Sequence, residues 1–278
     1  MTNSATKDET ESDNKATKLS VLIITGADYG YNARTIEPVL EAEGVNVLGV
    51  TTIPPTIGTQ SRISFARRAI STFGSRLFVQ QLVARGKYAL RDYINRARGK
   101  EMRYSPASLA EKHAVDHVSV ESVNTDAYRQ YVRELNPEVV VAAGATERFE
   151  AALLSIPKWG CINVHDSLLP EYRGIMPSFW VLRHGEQRTG VTVHRMVPEL
   201  DAGDVLIQRD IEIDPDDSYH TLRLRTAAHS GEALVAALDD IATDSCNPEP
   251  LDVDAGSYYS FPEREDVRAF QQMGRTFY

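Results

Sequence analysis

The sequence predicts an α/β chain: a mostly parallel, doubly wound sheet with an antiparallel edge, plus a helical insertion. Three observations carry this. LSVLIIT (19–25) and EVVVAAGA (138–145) are continuous apolar runs of the kind that strands buried on both faces require. The strand–helix–strand order of residues 19–53 is the opening of a parallel sheet. TGVTVHRM and DVLIQRDIEI are two successive β-like runs, which fit antiparallel strands at a sheet edge.

Taken in order, residues 1–18 are polar and charged and predict a disordered tail. After the first strand, GADYGYN forms a Gly-bearing loop, and a helix runs to about Glu43, closed by Gly44. Pro38 should start or kink that helix. VNVLGVTTI is the second strand. Residues 61–103 then depart from the rhythm as one or two helices, with eleven Lys and Arg against Asp92 and Glu101. The plain reading is a solvated helical insertion. Contact with phosphate, RNA or an anionic membrane is the functional one.

Ser105-Pro106 is an N-cap followed by proline at the first helical position. VDHVSV is an edge-like strand, Asn124 or Thr125 caps the next helix, and Asn136-Pro137 ends it. Beyond the antiparallel runs, Asp217 or Ser218 opens a helix to about Ile241. The main body thus covers 19–242. The remainder, 243–278, has no long periodic segment, and Tyr258, Tyr259, Phe261, Phe270 and Phe277 should pin it to that body.

A chain of 278 residues with net charge −9 has ample length for a core and is no general coat for nucleic acid. Cys161 and Cys246 lack metal-site spacing and suggest no disulfide framework. No signal peptide or spanning apolar stretch is expected, so a cytoplasmic location is the simpler reading.

The chemistry concentrates in residues 160–206. Asn163 and His165 are two apart on a short strand, so both side chains share one face. Ser167 and a Pro-Gly-bounded loop follow, where open α/β sheets place their sites. LDAGDVL then supplies a carboxylate, Asp201, beside Gly203. An amide, an imidazole and a carboxylate are the types that can converge on one reacting carbonyl.

Asn163-x-His165-x-Ser167-Leu168-Leu169-Pro170, Tyr172-Arg173-Gly174, Pro177, Thr189-Gly190-Val191-Thr192 and Leu200-Asp201-x-Gly203-Asp204 together resemble the folate-dependent formyltransferase family. That family includes methionyl-tRNA, glycinamide ribonucleotide and amino-sugar formyltransferases. The resemblance implies a Rossmann-like formyltransferase fold, 10-formyltetrahydrofolate as donor, a primary amine as acceptor, and no metal. The acceptor would be a small amine such as a nucleotide-linked amino sugar, or a phosphate-bearing or RNA acceptor. The ending YYSFPEREDVRAFQQMGRTFY is similar to that of members without a second folded domain.

By the same resemblance, Asn163 and His165 would stabilise charge on the formyl oxygen, Asp201 would hold His165 and relay a proton, and Ser167 would orient the site. Thr146, Arg148, Phe149, Leu200 and Gly203 would face the folate. Asp28, Tyr29, Tyr172, Arg173 and Gly174 would face the acceptor, with Arg173 meeting an anion or pairing with a carboxylate. The rival readings are a formyltetrahydrofolate deformylase, and a non-catalytic RNA- or membrane-binding protein on the same fold. His113 and His117 lack the intervening glutamate of a metalloprotease helix, Ser167 lacks a G-x-S-x-G elbow, and no phosphate-binding glycine loop is present.

Overall fold

The computed structural model describes residues 18–54 and 62–278. The tail expected over 1–18 lies outside the described residues except for Lys18, as does Ser61 at the start of the insertion. The elements in order are β1 (Leu19–Gly26), α1 (Tyr31–Glu41), β2 (Val45–Ile53), α2 (Arg62–Ala97), α3 (Pro106–Lys112), β3 (His117–Ser119) and α4 (Asp126–Leu135). They continue with β4 (Val139–Ala143), α5 (Ala151–Leu154), β5 (Gly160–His165), β6 (Arg173–Gly174), α6 (Pro177–His184), β7 (Arg188–Arg195) and β8 (Val205–Glu212). The last are α7 (Tyr219–Ala242), a 3-10 turn at Val253–Ala255, β9 (Tyr258–Tyr259) and α8 (Arg264–Gln272).

The main sheet has the order β3-β2-β1-β4-β5-β7-β8. Strands β1 to β5 are parallel, and β7 and β8 add the antiparallel edge. Alternation along the buried strands feeds two cores. Val21, Ile23, Val139 and Val141 face α1, α3 and α7, while Leu22, Ile24, Val140 and Ala142 face α4 and α5. The order in which strands are added reverses between the parallel β1 and β4, so their carboxyl ends open a crevice of the kind where such sheets bind ligands.

Several local expectations shift. Pro38 lies inside α1, which starts at Tyr31 and ends at Glu41, short of Gly44. The proline ring packs against α7 where Gly231 leaves room: a Cβ there would sit 2.8 Å from Pro38 Cγ. The basic insertion is two helical segments, broken at Gly74 with φ 80° and ψ 159°. Thr125 and Ser218 are the caps, their side chains accepting from the Tyr128 and Thr221 N–H groups.

A third core joins α6 to the insertion and the C-terminal segment, through Phe73, Phe179, Leu222, Phe261, Phe270 and Phe277. The segment contains α8, too short for its two buried residues, Val267 and Phe270, to announce a period. Of the aromatic residues expected to pin it, Phe261, Phe270 and Phe277 are buried, whereas Tyr258 is 52% exposed. β9 pairs with β6 to form a second small sheet. Phe277 touches the rings of Phe73, Phe179, Tyr219 and Phe270. Phe277→Ala is therefore expected to cost about 3–5 kcal/mol, read from urea unfolding. A change under 1 kcal/mol would mean that the C-terminal segment is not part of this core.

Candidate active site

The site forms where β5 ends and the loops after β4, β5 and β7 meet. A cavity of about 440 Å³ opens there, with Asn163, His165 and Asp201 in its wall. Asn163 and His165 arrive together because β5 alternates. Asp201 comes from the β7–β8 loop, in a left-handed conformation at φ 48°. Its Oδ2 accepts from the Gly174 N–H at 2.9 Å. Its Oδ1 lies 3.7 Å from His165 Nδ1 and 3.7 Å from His194 Nε2.

Hydrogen bonds assign the protons on both rings. His165 Nε2 faces the Tyr172 carbonyl at 2.8 Å, so it carries a hydrogen and leaves Nδ1 toward Asp201. Ser167 donates to the Glu171 carbonyl at 2.8 Å and to the same Tyr172 carbonyl at 3.4 Å. It thus steadies the loop that orients the imidazole. His194 donates from Nδ1 to the Arg195 carbonyl at 2.8 Å. Burial pushes its pKa down to about 4 against the pull of Asp201, so near neutrality its Nε2 is a bare acceptor. Asn163 Nδ2 donates to that acceptor at 3.1 Å. The bond fixes which way the amide faces and leaves its second N–H free of His194.

The sequence reading did not single out His194. Its signal is the β5–β7 register, which sets Asn163 opposite His194. Asp166 and Arg223 were also missed. They form an ion pair across the cavity wall, with Ser230 donating to Asp166 at 3.2 Å and the Arg223 guanidinium 4.9 Å from the Tyr31 ring centre. Burial works against the Arg223 charge, but Asp166, Tyr219, Tyr31 and Asp28 more than offset it. Arg223 comes from α7, more than fifty residues downstream in the sequence, and only packing brings it here.

Thr146, Arg148 and Leu200 line the cavity. Thr146 donates to the Pro54 carbonyl at 2.8 Å, and Arg148 reaches the Pro198 carbonyl. Phe149 is buried and lines a smaller adjoining cavity of about 80 Å³, which also touches Asn163, His194 and Asp201. Gly203 lies outside the lining of both cavities and packs against the Arg195 carbonyl with no room for a Cβ.

Gly174 lines the cavity at φ 99°. Arg173 pairs with Glu199 at 2.9 Å and donates to the Leu200 carbonyl, bracing the Asp201 loop. The Tyr172 ring stacks on Tyr259 at 5.4 Å, and its hydroxyl donates to Glu186. Asp28 stands at the N-terminal end of α1, accepting from the Asn32 N–H at 3.2 Å. Burial raises its pKa to about 6, opposed by Arg223. Tyr29 is drawn elsewhere, into a separate cavity with Asp92, Arg96 and His117.

Comparison with known proteins follows the same lines. Residues 90–238 match the formyl transferase family. The methionyl-tRNA formyltransferase of Thermotoga maritima is 36% identical over 173 residues, covering 62% of this chain and 55% of that protein. The methionyl-tRNA formyltransferase of Caldanaerobacter subterraneus subsp. tengcongensis is 38% identical over 165 residues, 59% of this chain and 53% of that one. The chain therefore spans about half the length of these curated relatives.

Among solved structures, phosphoribosylglycinamide formyltransferase from Anaplasma phagocytophilum aligns with TM-score 0.56 and 18% identity, over 82% of this chain and 89% of that one. The N-formyltransferase from Helicobacter canadensis, in complex with folinic acid and dTDP-3-aminofucose, aligns with TM-score 0.56 and 15% identity, over 92% and 80%. The fold is that of the Rossmann-like formyltransferases. The chain belongs to the formyl transferase family.

The neutral state of His194 has a consequence for stability. Its pKa is about 4 folded, against a reference value of 6.5. Between those values the unfolded chain binds a proton that the folded ring refuses, so its contribution is present above pH 6.5 and lost as pH falls toward 4. The loss should reach about 3 kcal/mol. Urea unfolding of the wild type and His194→Gln from pH 7 to pH 4 should therefore show the wild type losing more stability. Parallel pH profiles would rule out this proton assignment.

Proposed function

We propose that this protein transfers the formyl group of 10-formyltetrahydrofolate to a primary amine. The observation that carries the reading is the convergence of Asn163, His165 and Asp201 on one cavity wall. Family membership and the likeness to methionyl-tRNA formyltransferases support it. The cavity also has the dimensions of a small-molecule site.

The residues fit such a donor. Asn163, its amide oriented by His194, would offer an N–H to the formyl oxygen as negative charge develops there. His165, held through Nε2 by the Tyr172 carbonyl, would present Nδ1 as a second, charge-assisted donor when that atom carries a proton. Asp201, fixed by the Gly174 N–H beside His165, would receive the proton released by the attacking amine. Thr146, Arg148 and Leu200 would flank the folate, with Phe149 and Gly203 shaping the loops that carry them. Gly174 would border the acceptor, and Asp28 would stand behind it near Arg223. The acceptor we favour is a small amine such as a nucleotide-linked amino sugar, ahead of a phosphate-bearing RNA.

Incubation with 10-formyltetrahydrofolate and a panel of amino-sugar nucleotides, ribonucleotide amines and methionyl-tRNA should release tetrahydrofolate with at least one of them. Asn163→Ala should lower kcat by about 10²–10³-fold while donor affinity is retained. His165→Ala and Asp201→Asn should also act on kcat rather than on folate binding. Formate release with no amine present would instead identify a deformylase. Undiminished turnover in any of these variants would remove that residue from the mechanism.

A further inference from the structure

We propose that the outward face of the second half of α2, after the break at Gly74, docks on an anionic lipid surface. A helix turns 100° per residue, so Val79, Leu82, Val83, Leu90 and Tyr93 fall on one face, a stripe about 21 Å long. All five are more than half exposed, at 54, 53, 51, 59 and 69%. Gly86 lies in the middle of the stripe, with open space where a Cβ would be. The opposite face is already used: Leu77 and Phe78 pack into the third core, Tyr88 meets the Tyr104 ring, and Asp92 is buried under α3. The segment is thus apolar on two opposed faces, the pattern of a helix covered on both sides, and the described residues of the body cover only one.

Charge identifies the occupant. Arg76, Lys87, Arg91 and Arg98 are exposed along one flank of the stripe, and none has an ion-pair partner among the described residues. A second copy packed antiparallel about Gly86 would match Val79 with Tyr93 and Leu82 with Leu90. It would also set Lys87 against its own equivalent and Arg76 near Arg98, a repulsive seam. RNA would satisfy the cations but would leave five apolar side chains facing phosphates and water. An anionic bilayer meets both demands at once, taking the apolar stripe into the headgroup–acyl boundary and the basic row at the headgroups. The net charge of −9 is no obstacle, because solvent ions screen the acidic remainder over about 10 Å at 0.1 M salt. This face is separate from the formyl-transfer cavity, and the inference does not rest on that reading.

The test is co-flotation of the full chain with vesicles of phosphatidylcholine containing phosphatidylglycerol, against vesicles of phosphatidylcholine alone. Binding to the anionic vesicles only, weakening with salt, is expected. Arg76→Gln, Lys87→Gln and Arg91→Gln combined should weaken it about 100-fold. Leu82→Ser with Leu90→Ser should abolish it, and because both residues are exposed, unfolding midpoints should not change. Failure to bind, equal binding to both vesicle types, or binding unchanged in the variants would overturn the proposal. A dimer dissolved by the same serine substitutions would overturn it in favour of a second copy. RNA binding lost in the glutamine variant, without vesicle binding, would overturn it in favour of RNA.

Discussion

The site depends on a hydrogen bond 2.9 Å long, from the Gly174 N–H to Asp201 Oδ2. Asp201 sits in a left-handed backbone conformation that an aspartate adopts at some cost, and it persists only where the surroundings hold it. Gly174 is held in turn. It pairs with Tyr259 of β9, where a Cβ would collide with the Tyr259 carbonyl, and the neighbouring Arg173 braces the same loop through Glu199 and Leu200. The C-terminal segment is therefore connected to the carboxylate through backbone contacts. Phe261, Phe270 and Phe277 in the third core anchor that segment from behind.

Two histidines share this carboxylate, and their environments separate their roles. His194 is buried, is kept neutral near pH 7 by that burial, and serves as an acceptor that orients the Asn163 amide. His165 opens to the cavity, with one nitrogen committed to a backbone carbonyl and the other toward Asp201. The two rings stand at equal distance from the same oxygen, yet only His165 lines the larger cavity. Arg223 and Asp166 add an ion pair to the wall of the same cavity.

The buried strands and the Asn163–His165 pair were legible because period-two alternation and continuous apolar runs report directly on burial. The caps were legible to within one residue, as Asn124 or Thr125 and Asp217 or Ser218, and the structure selects Thr125 and Ser218, whose hydroxyls satisfy backbone N–H groups one turn away. Pro38 misled, because its place inside α1 depends on the space that Gly231 leaves on α7. Tyr29 misled as well. It follows Asp28 directly, but the turn before α1 sends its side chain toward α3.

By itself, the sequence determined the parallel sheet, its antiparallel edge, and the placing of Asn163 and His165 on one strand face, since each of these follows from residue type at short spacing. Only the tertiary structure decided that His194 fixes the Asn163 amide and that Arg223 joins Asp166 at the cavity. It alone joined the C-terminal segment, through Gly174, to Asp201. The physical reason is common to these cases. A strand register, a helix–strand contact and a backbone bridge bring together residues that have no periodic relation along the chain, and their energies depend on distances that exist only once the cores are packed.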